Sequence, residues 1–273
     1  QDRPCDNPDE TATIELGQTA FYIFTSGTTG MPKAAVMSNK RYLGGASAAA
    51  LGGMRLTENH RLYNCLPLYH ATGLVLGVGT AIVSGASTFI RRKFSASNFL
   101  GDARKEGTTH FVYIGEVCRY LLNTPAQPDD ADNPLHTMMG AGLRPDVWMQ
   151  FKKRFGIKRI AELYAASEGN AGFCNFLNKD MTIGTTMVPV KLVQYDVPTD
   201  RIVRDNQGHC IEVQHGEPGL GLIQVDSNAQ FEGYTNKEAT EKKVVRGAFV
   251  EGDCWFNTGD LLRTIDVGFS FGF

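Results

Sequence analysis

Phe24-Thr25-Ser26-Gly27-Thr28-Thr29-Gly30-Met31-Pro32-Lys33 is the stretch around which the rest of this chain is organised. Six of its ten residues are Gly, Ser or Thr, an apolar run (Ala20 to Ile23) precedes it, and a lysine closes it. Glycines let backbone N–H groups converge on an anion, hydroxyls add donors or a metal ligand, and the lysine supplies positive charge. This is the chemistry of a phosphate-binding loop. A Walker A loop needs Gly immediately before Lys and a hydroxyl residue after it, whereas Pro32 precedes Lys33 and Ala34 follows. An ordinary P-loop NTPase is therefore disfavoured. The plainer alternative is a flexible linker, but a linker needs neither a strand before it nor a terminal lysine with an apolar segment beyond.

Outward from this loop, hydrophobic patterning predicts strands at 19–24, 61–66, 86–90, 109–114, 136–139 and 159–163. Helices are expected at 38–53 with Ser38 as cap, 71–84, 95–106 with Ser95 as cap, 116–123, and 145–155 opened by Pro145. Such alternation argues an α/β fold with a mostly parallel sheet covered by helices, where ligands gather at the carboxyl ends of strands. From about residue 170 short apolar segments (190–195, 221–225) are separated by Gly, Asn, Asp and Pro, with one charged helix expected at 236–245. The expected organisation is a connector over 1–18, an α/β nucleotide-binding subdomain over 19–185, and a smaller β-rich, distorted barrel-like subdomain over 186–273.

Composition narrows the function classes. The 273 residues are 42% hydrophobic, ample for a packed core, and 27 basic against 29 acidic residues leave a net charge of −2. That balance gives no electrostatic reason to expect nucleic acid as a partner. Six scattered cysteines, with no CxxC pair and no close Cys/His cluster, predict a reduced, cytoplasmic setting without a zinc site. The first residues are polar and acidic, which predicts no secretory leader. Residues 71–90 carry no charge and match the length of a membrane span, but four glycines and several hydroxyls favour a buried helix followed by a buried strand. Peripheral membrane association stays open.

Four further stretches carry chemistry. Leu66-Pro67-Leu68-Tyr69-His70 follows a predicted strand; the commoner role of a lone histidine there is a cap or core group. Gly140-Ala141-Gly142-Leu143-Arg144-Pro145 joins a strand to a helix, with glycines that serve either close approach to a flat ligand or the dihedrals of the turn. In Glu162-Leu163-Tyr164-Ala165-Ala166-Ser167-Glu168-Gly169-Asn170 an aromatic ring can stack on a base and a carboxylate can hold a hard cation. In Phe256-Asn257-Thr258-Gly259-Asp260 an aspartate beside a glycine turn can accept two hydroxyl donors.

Taken in order, these stretches resemble the adenylate-forming superfamily, whose members activate carboxylates with ATP and carry a TSGTTGxPK loop. The GxGLRPDVW form and the EGN ending are similar to its fatty acid transport protein and very long-chain acyl-CoA synthetase branch, with Ala141 standing where Asn is usual. The YGxTE motif of the family is matched with Ala165 for Gly and Ser167 for Thr. The resemblance implies that Thr25 and Glu168 hold Mg²⁺, and that Ser26, Gly27, Thr28, Thr29, Gly30 and Lys33 grip the β- and γ-phosphates of ATP. It implies that Gly140, Ala141 and Gly142 line adenine, that Tyr164, Ala165 and Ser167 lie beside it with Tyr164 stacking, and that Asp260 fixes the ribose. His70 would stand at the carboxylate end of the acyl pocket. The implied reaction is fatty acid activation by ATP to an acyl-adenylate, then transfer to coenzyme A. The alternatives are a carnitine-like, bile-acid or aryl acid substrate, or a non-ligating nucleotide-binding module. The family's DRxGD hinge and C-terminal lid domain are not matched, so the expectation is an internal fragment that alone makes little acyl-CoA.

Overall fold

The computed structural model describes residues 6–25, 33–165, 172–226, 231 and 234–266, without the side chains of Thr25 and Lys33. Strands β1 (Thr19–Thr25) and β2 (Lys33–Ser38) form an antiparallel two-stranded sheet, followed by α1 (Asn39–Ser47) and wide π-type turns over Ala48–Met54. Next come β3 (Arg61–Asn64), a second π-type segment (Thr72–Gly79), α2 (Thr80–Ser84), β4 (Ser87–Ile90), α3 (Phe99–Glu106), β5 (His110–Ile114) and α4 (Gly115–Leu122). β6 (Thr137–Ala141), α5 (Pro145–Arg154), β7 (Arg159–Ala165) and β8 (Gly172–Cys174) complete this part. The remainder holds β9 (Val190–Val193), β10 (Tyr195–Asp196), β11 (Arg201–Ile202), β12 (Gly219–Gln224), α6 (Lys237–Glu241), β13 (Val244–Arg246) and β14 (Cys254–Leu262).

Among the described residues a six-stranded sheet runs β4-β3-β5-β6-β7-β8. Its first five strands are parallel and β8 is antiparallel to β7. Central strands of a parallel sheet are apolar on both faces because helices cover both. β5 shows it: His110, Phe111, Val112 and Tyr113 are all buried. Its core takes Met54, Leu76, Phe99, Cys118, Leu121, Trp148 and Phe151 from the surrounding helical segments. A second, antiparallel sheet, β13-β14-β12-β9, packs against the first through Phe173, Ile223 and Phe256. The α/β architecture read from the alternation is thus present.

Four local expectations are corrected. The apolar segment after the phosphate loop is a strand, so the loop joins two antiparallel strands rather than running straight into a helix; Ser38 still caps α1, its Oγ accepting from the Arg41 N–H at 3.3 Å. Ser95 does not cap α3. Its hydroxyl turns to Ser97 Oγ at 3.2 Å, inside the preceding turn, and the helix begins after Asn98. The uncharged 71–90 run is only partly buried, because β4 has one strand neighbour and leaves Ile90 exposed; among the described residues no helix is long and apolar enough to cross a membrane. The charged helix expected at 236–245 stops at Glu241, and β-branched Val244 and Val245 instead pair with Phe256 and Trp255.

Candidate functional site

Parallel register brings the carboxyl ends of β5, β6 and β7 to one edge of the sheet, with Tyr113 opposite Gly140 and Gly140 opposite Glu162. A Cβ on Gly140 would stand 2.0 Å from the Tyr113 carbonyl oxygen, so the missing side chain serves the packing of β6 on β5. Gly142 has φ of 80°, the left-handed conformation that redirects the chain into α5. Gly142 is exposed and Ala141 half-buried, which leaves their backbone open at the sheet edge.

Glu162 holds this turn from beneath. It is 3% exposed, accepts the Tyr113 hydroxyl, and accepts the Leu143 N–H at 3.0 Å. Burial pushes its carboxyl up to about 7, against the hydrogen bonds from Tyr113, Leu143 and the Gly142 backbone, which pull it down. Sequence reading quoted Glu162 within its motif but assigned it no role. The available signal was a carboxylate placed mid-strand in a segment expected to be buried on both faces.

Tyr164 emerges from the end of β7. Its ring meets Phe173 edge-on (centroids 5.7 Å, planes at 71°), and its hydroxyl donates to Asp260 Oδ2 at 2.5 Å. Asp260 arrives from the other sheet by a specific device. Leu222 pairs with Asn257 and Leu220 with Leu261, so Thr258, Gly259 and Asp260 bulge out opposite Gly221. Gly259 adopts φ of 81°, the Thr258 hydroxyl donates to the Gly221 carbonyl at 2.9 Å, and the Asp260 N–H donates to Thr258 Oγ1 at 3.1 Å. The bulge presents an exposed carboxylate able to accept further donors. Lys243 Nζ lies 3.4 Å from where a Cβ on Gly259 would stand, adding a cation beside the turn. Lys243 sat inside the segment misread as helix, and nothing in that pattern singled it out.

His70 stands on the same edge, beyond the end of β3, and is exposed. Its N–H donates to the Pro67 carbonyl at 3.2 Å, its carbonyl accepts from the Leu74 N–H at 2.9 Å, and its ring lies 5.2 Å from that of Tyr69. Buried Asn64 clamps the turn, donating to the Gly73 carbonyl at 3.0 Å and accepting from the Leu66 N–H at 3.1 Å. A Cβ on Gly77 would meet Asn64 Nδ2 at 2.0 Å, so that glycine makes room for the clamp.

The remaining expected site residues divide. Thr25 and Lys33 are backbone partners at the end of the β1–β2 ladder, and β2 is tied to the segment before α6 by a Thr235 N–H to Ala34 carbonyl bond of 3.2 Å. Ala165 is exposed at the end of β7, opposite Gly172. Ser26, Gly27, Thr28, Thr29, Gly30, Ser167 and Glu168 lie outside the described residues. The structure therefore brings Gly140, Ala141 and Gly142 to the same sheet edge as Tyr164, joins Tyr164 to Asp260, and leaves His70 beyond the intervening strands.

Comparison with known proteins adds the following. A family model described as AMP-binding enzyme matches residues 1–235. Medium/long-chain-fatty-acid–CoA ligase FadD6 of Mycobacterium tuberculosis is 46% identical over 265 residues, covering 97% of this chain and 44% of that protein. Long-chain fatty acid transport protein 5 of Mus musculus is 41% identical over 267 residues, covering 95% of this chain and 38% of that protein. The chain spans less than half the length of these relatives. Among solved structures, ATP-bound MatB from Rhodopseudomonas palustris aligns with a TM-score of 0.72 at 21% identity, over 94% of this chain and 48% of that one. A benzoate CoA ligase from Burkholderia xenovorans LB400 aligns with a TM-score of 0.69 at 19% identity, over 93% and 48%. At these identities the structural likeness speaks to the fold.

Proposed function

Because the chain belongs to the AMP-binding enzyme family, we propose that it forms the nucleotide-binding part of an AMP-forming acid–thiol ligase acting on long-chain or very long-chain fatty acids. The fatty-acid assignment is supported by the names of its relatives. The observation that supports the nucleotide assignment is the Tyr164–Asp260 hydrogen bond, which joins an aromatic ring and a carboxylate from two different sheets, groups that would serve adenine and the ribose hydroxyls.

In the proposed reaction a fatty-acid carboxylate oxygen attacks the α-phosphorus of ATP, the bond to the β-phosphate oxygen breaks, and pyrophosphate leaves. The thiolate of coenzyme A then attacks the acyl carbonyl and AMP departs. The first step brings two anions together, so charge neutralisation and positioning carry it. Ser26, Gly27, Thr28, Thr29, Gly30 and Lys33 would hold the β- and γ-phosphates. Gly140, Ala141 and Gly142 would line adenine with Tyr164, Ala165 and Ser167, kept in place by Glu162 beneath the turn. His70 would orient the acyl carboxylate. Thr25 and Glu168, oxygen donors of the kind a hard cation takes, would hold Mg²⁺, which supplies neutralising charge at the phosphates. A cytoplasmic setting fits the free thiols Cys65, Cys118, Cys174, Cys210 and Cys254, and contact with a membrane surface is proposed from the relatives' transport names alone.

Calorimetry with Mg²⁺ present tests the proposal by comparing a non-hydrolysable long-chain acyl-adenylate analogue with an ATP analogue, and Glu168→Gln serves as control. Much tighter binding of the acyl-adenylate analogue is expected if acyl and nucleotide pockets adjoin, as proposed. Binding of the ATP analogue alone would make the chain a nucleotide module. An aryl-adenylate analogue outcompeting the long-chain one would overturn the fatty-acid assignment.

A further inference from the structure

The opposite edge of the same sheet carries a second constellation. His60 immediately precedes β3, His110 opens β5 and His136 immediately precedes β6, so parallel register gathers three imidazoles at the amino ends of three adjacent strands. Ring centroids lie 4.6 Å apart for His60 and His110, 5.0 Å for His110 and His136, and 5.9 Å for His60 and His136. His110 is buried; the other two are half-buried. One ring nitrogen from each residue lies within 4.8 Å of those from the other two.

Both ring nitrogens of His110 and Nδ1 of each of the other two rings have partners. His110 Nε2 stands 3.1 Å from the Met54 carbonyl, which only accepts, so Nε2 carries the proton and Nδ1 the lone pair. Thr109 Oγ1, 2.8 Å from that Nδ1, has an alternative acceptor in the Arg61 carbonyl at 3.3 Å. His136 Nδ1 is 2.9 Å from Thr137 Oγ1, which can accept a ring proton. His60 Nδ1 instead accepts the Thr57 backbone N–H at 3.0 Å, beside Thr57 Oγ1 at 3.1 Å, so ligation through His60 Nε2 requires that backbone bond to be given up. Metal-binding histidines are oriented by such bonds on the nitrogen that does not ligate. Lys158 adds positive charge near His136, which works against a cation held by net charge alone.

We propose that His60, His110 and His136 bind a divalent transition-metal ion of the zinc class, with at least one coordination position left to water. The site is independent of the ligase reading. Imidazole suits zinc, cobalt, nickel and copper ions, whereas magnesium and calcium take oxygen donors. Three atoms within 4.8 Å of one another enclose a point about 2.8 Å from each (4.8 divided by the square root of three). Zinc–nitrogen bonds are about 2.0–2.1 Å, so closure asks for a shift of under about 1 Å, which the half-buried rings of His60 and His136 can make by side-chain torsion.

The test is titration of the chelator-treated chain with Co²⁺, followed by displacement with Zn²⁺. The expected result is one equivalent of Co²⁺ with the visible absorption of a nitrogen-rich, near-tetrahedral site and no thiolate charge-transfer band, lost on adding Zn²⁺. His60→Gln and His136→Gln should each weaken Zn²⁺ binding by more than about 100-fold. His209→Gln and His215→Gln should bind as the parent does. The half-buried positions are chosen because replacing buried His110 risks the fold. No saturable uptake of either ion, or parental Zn²⁺ affinity in a folded His60→Gln/His136→Gln double variant, would overturn the proposal.

Discussion

One sheet presents two edges built by opposite rules. At the carboxyl edge Gly142 and His70 stand exposed on turns, and the structure supports those turns with buried polar groups, Glu162 and Asn64, one step behind. At the amino edge the notable groups are themselves packed together, with His110 buried and each ring bonded to a neighbouring hydroxyl or carbonyl. The first arrangement leaves groups open to a large ligand. The second gathers three ring nitrogens within 4.8 Å of one another. The contrast follows from chain direction: turns leaving strands toward helices accumulate glycine, hydroxyl and charged residues within one contiguous motif, whereas strand starts meet only through register.

The largest effect expected from breaking this contrast comes from Gly140→Ala. Its Cβ would meet the Tyr113 carbonyl oxygen at 2.0 Å and Tyr113 Cγ at 2.7 Å, both inside the sheet. A loss of about 3 kcal/mol or more is expected by denaturant unfolding; a near-parental midpoint would show that β5 and β6 can part without cost.

Next is the pH response of Glu162, whose folded-state carboxyl is raised to about 7 from 4.5. The folded chain therefore holds this proton more tightly than the unfolded chain. Its contribution is complete below pH 4.5 and is lost as pH rises to 7, amounting to about 3 kcal/mol. Glu162→Gln keeps an acceptor for the Leu143 N–H and should flatten that part of the stability profile relative to the parent. Equal slopes in the two proteins would contradict the assignment.

The smallest effect sharpens the separation of the edges. Thr109→Val removes a hydroxyl that accepts the Arg61 N–H at 3.2 Å and lies against His110. It should cost about 1–2 kcal/mol of stability while nucleotide affinity stays within about twofold. A larger change in affinity would mean that the two edges communicate.

How much was legible follows the same division. Tyr164 and Asp260 were singled out only through the family resemblance, which assigns them to adenine and ribose; that they share a hydrogen bond, between residues far apart in the chain, came from the structure. Glu162 was harder, since within Ile160-Ala161-Glu162-Leu163 its partners Tyr113 and Leu143 belong to other elements. The histidine cluster was invisible: a search for close Cys/His spacing along the chain cannot find residues that meet only when β3, β5 and β6 pair. Ser95 misled because a cap-forming residue also satisfies itself inside a turn. The misread end of α6 reflects a tertiary override, in which a partner strand decided the state of Val244 and Val245 over the charged helix pattern before them.

The central claim is that Tyr164 and Asp260, delivered by two sheets, form one nucleotide-binding unit. A double-mutant cycle measures it directly: calorimetric AMP affinity of the parent, Tyr164→Phe, Asp260→Asn and the double variant. The account predicts that each single variant weakens binding, and that the double loses less than the sum by about 1 kcal/mol, as expected for groups in contact. Strict additivity, or unchanged affinity in the single variants, would contradict it.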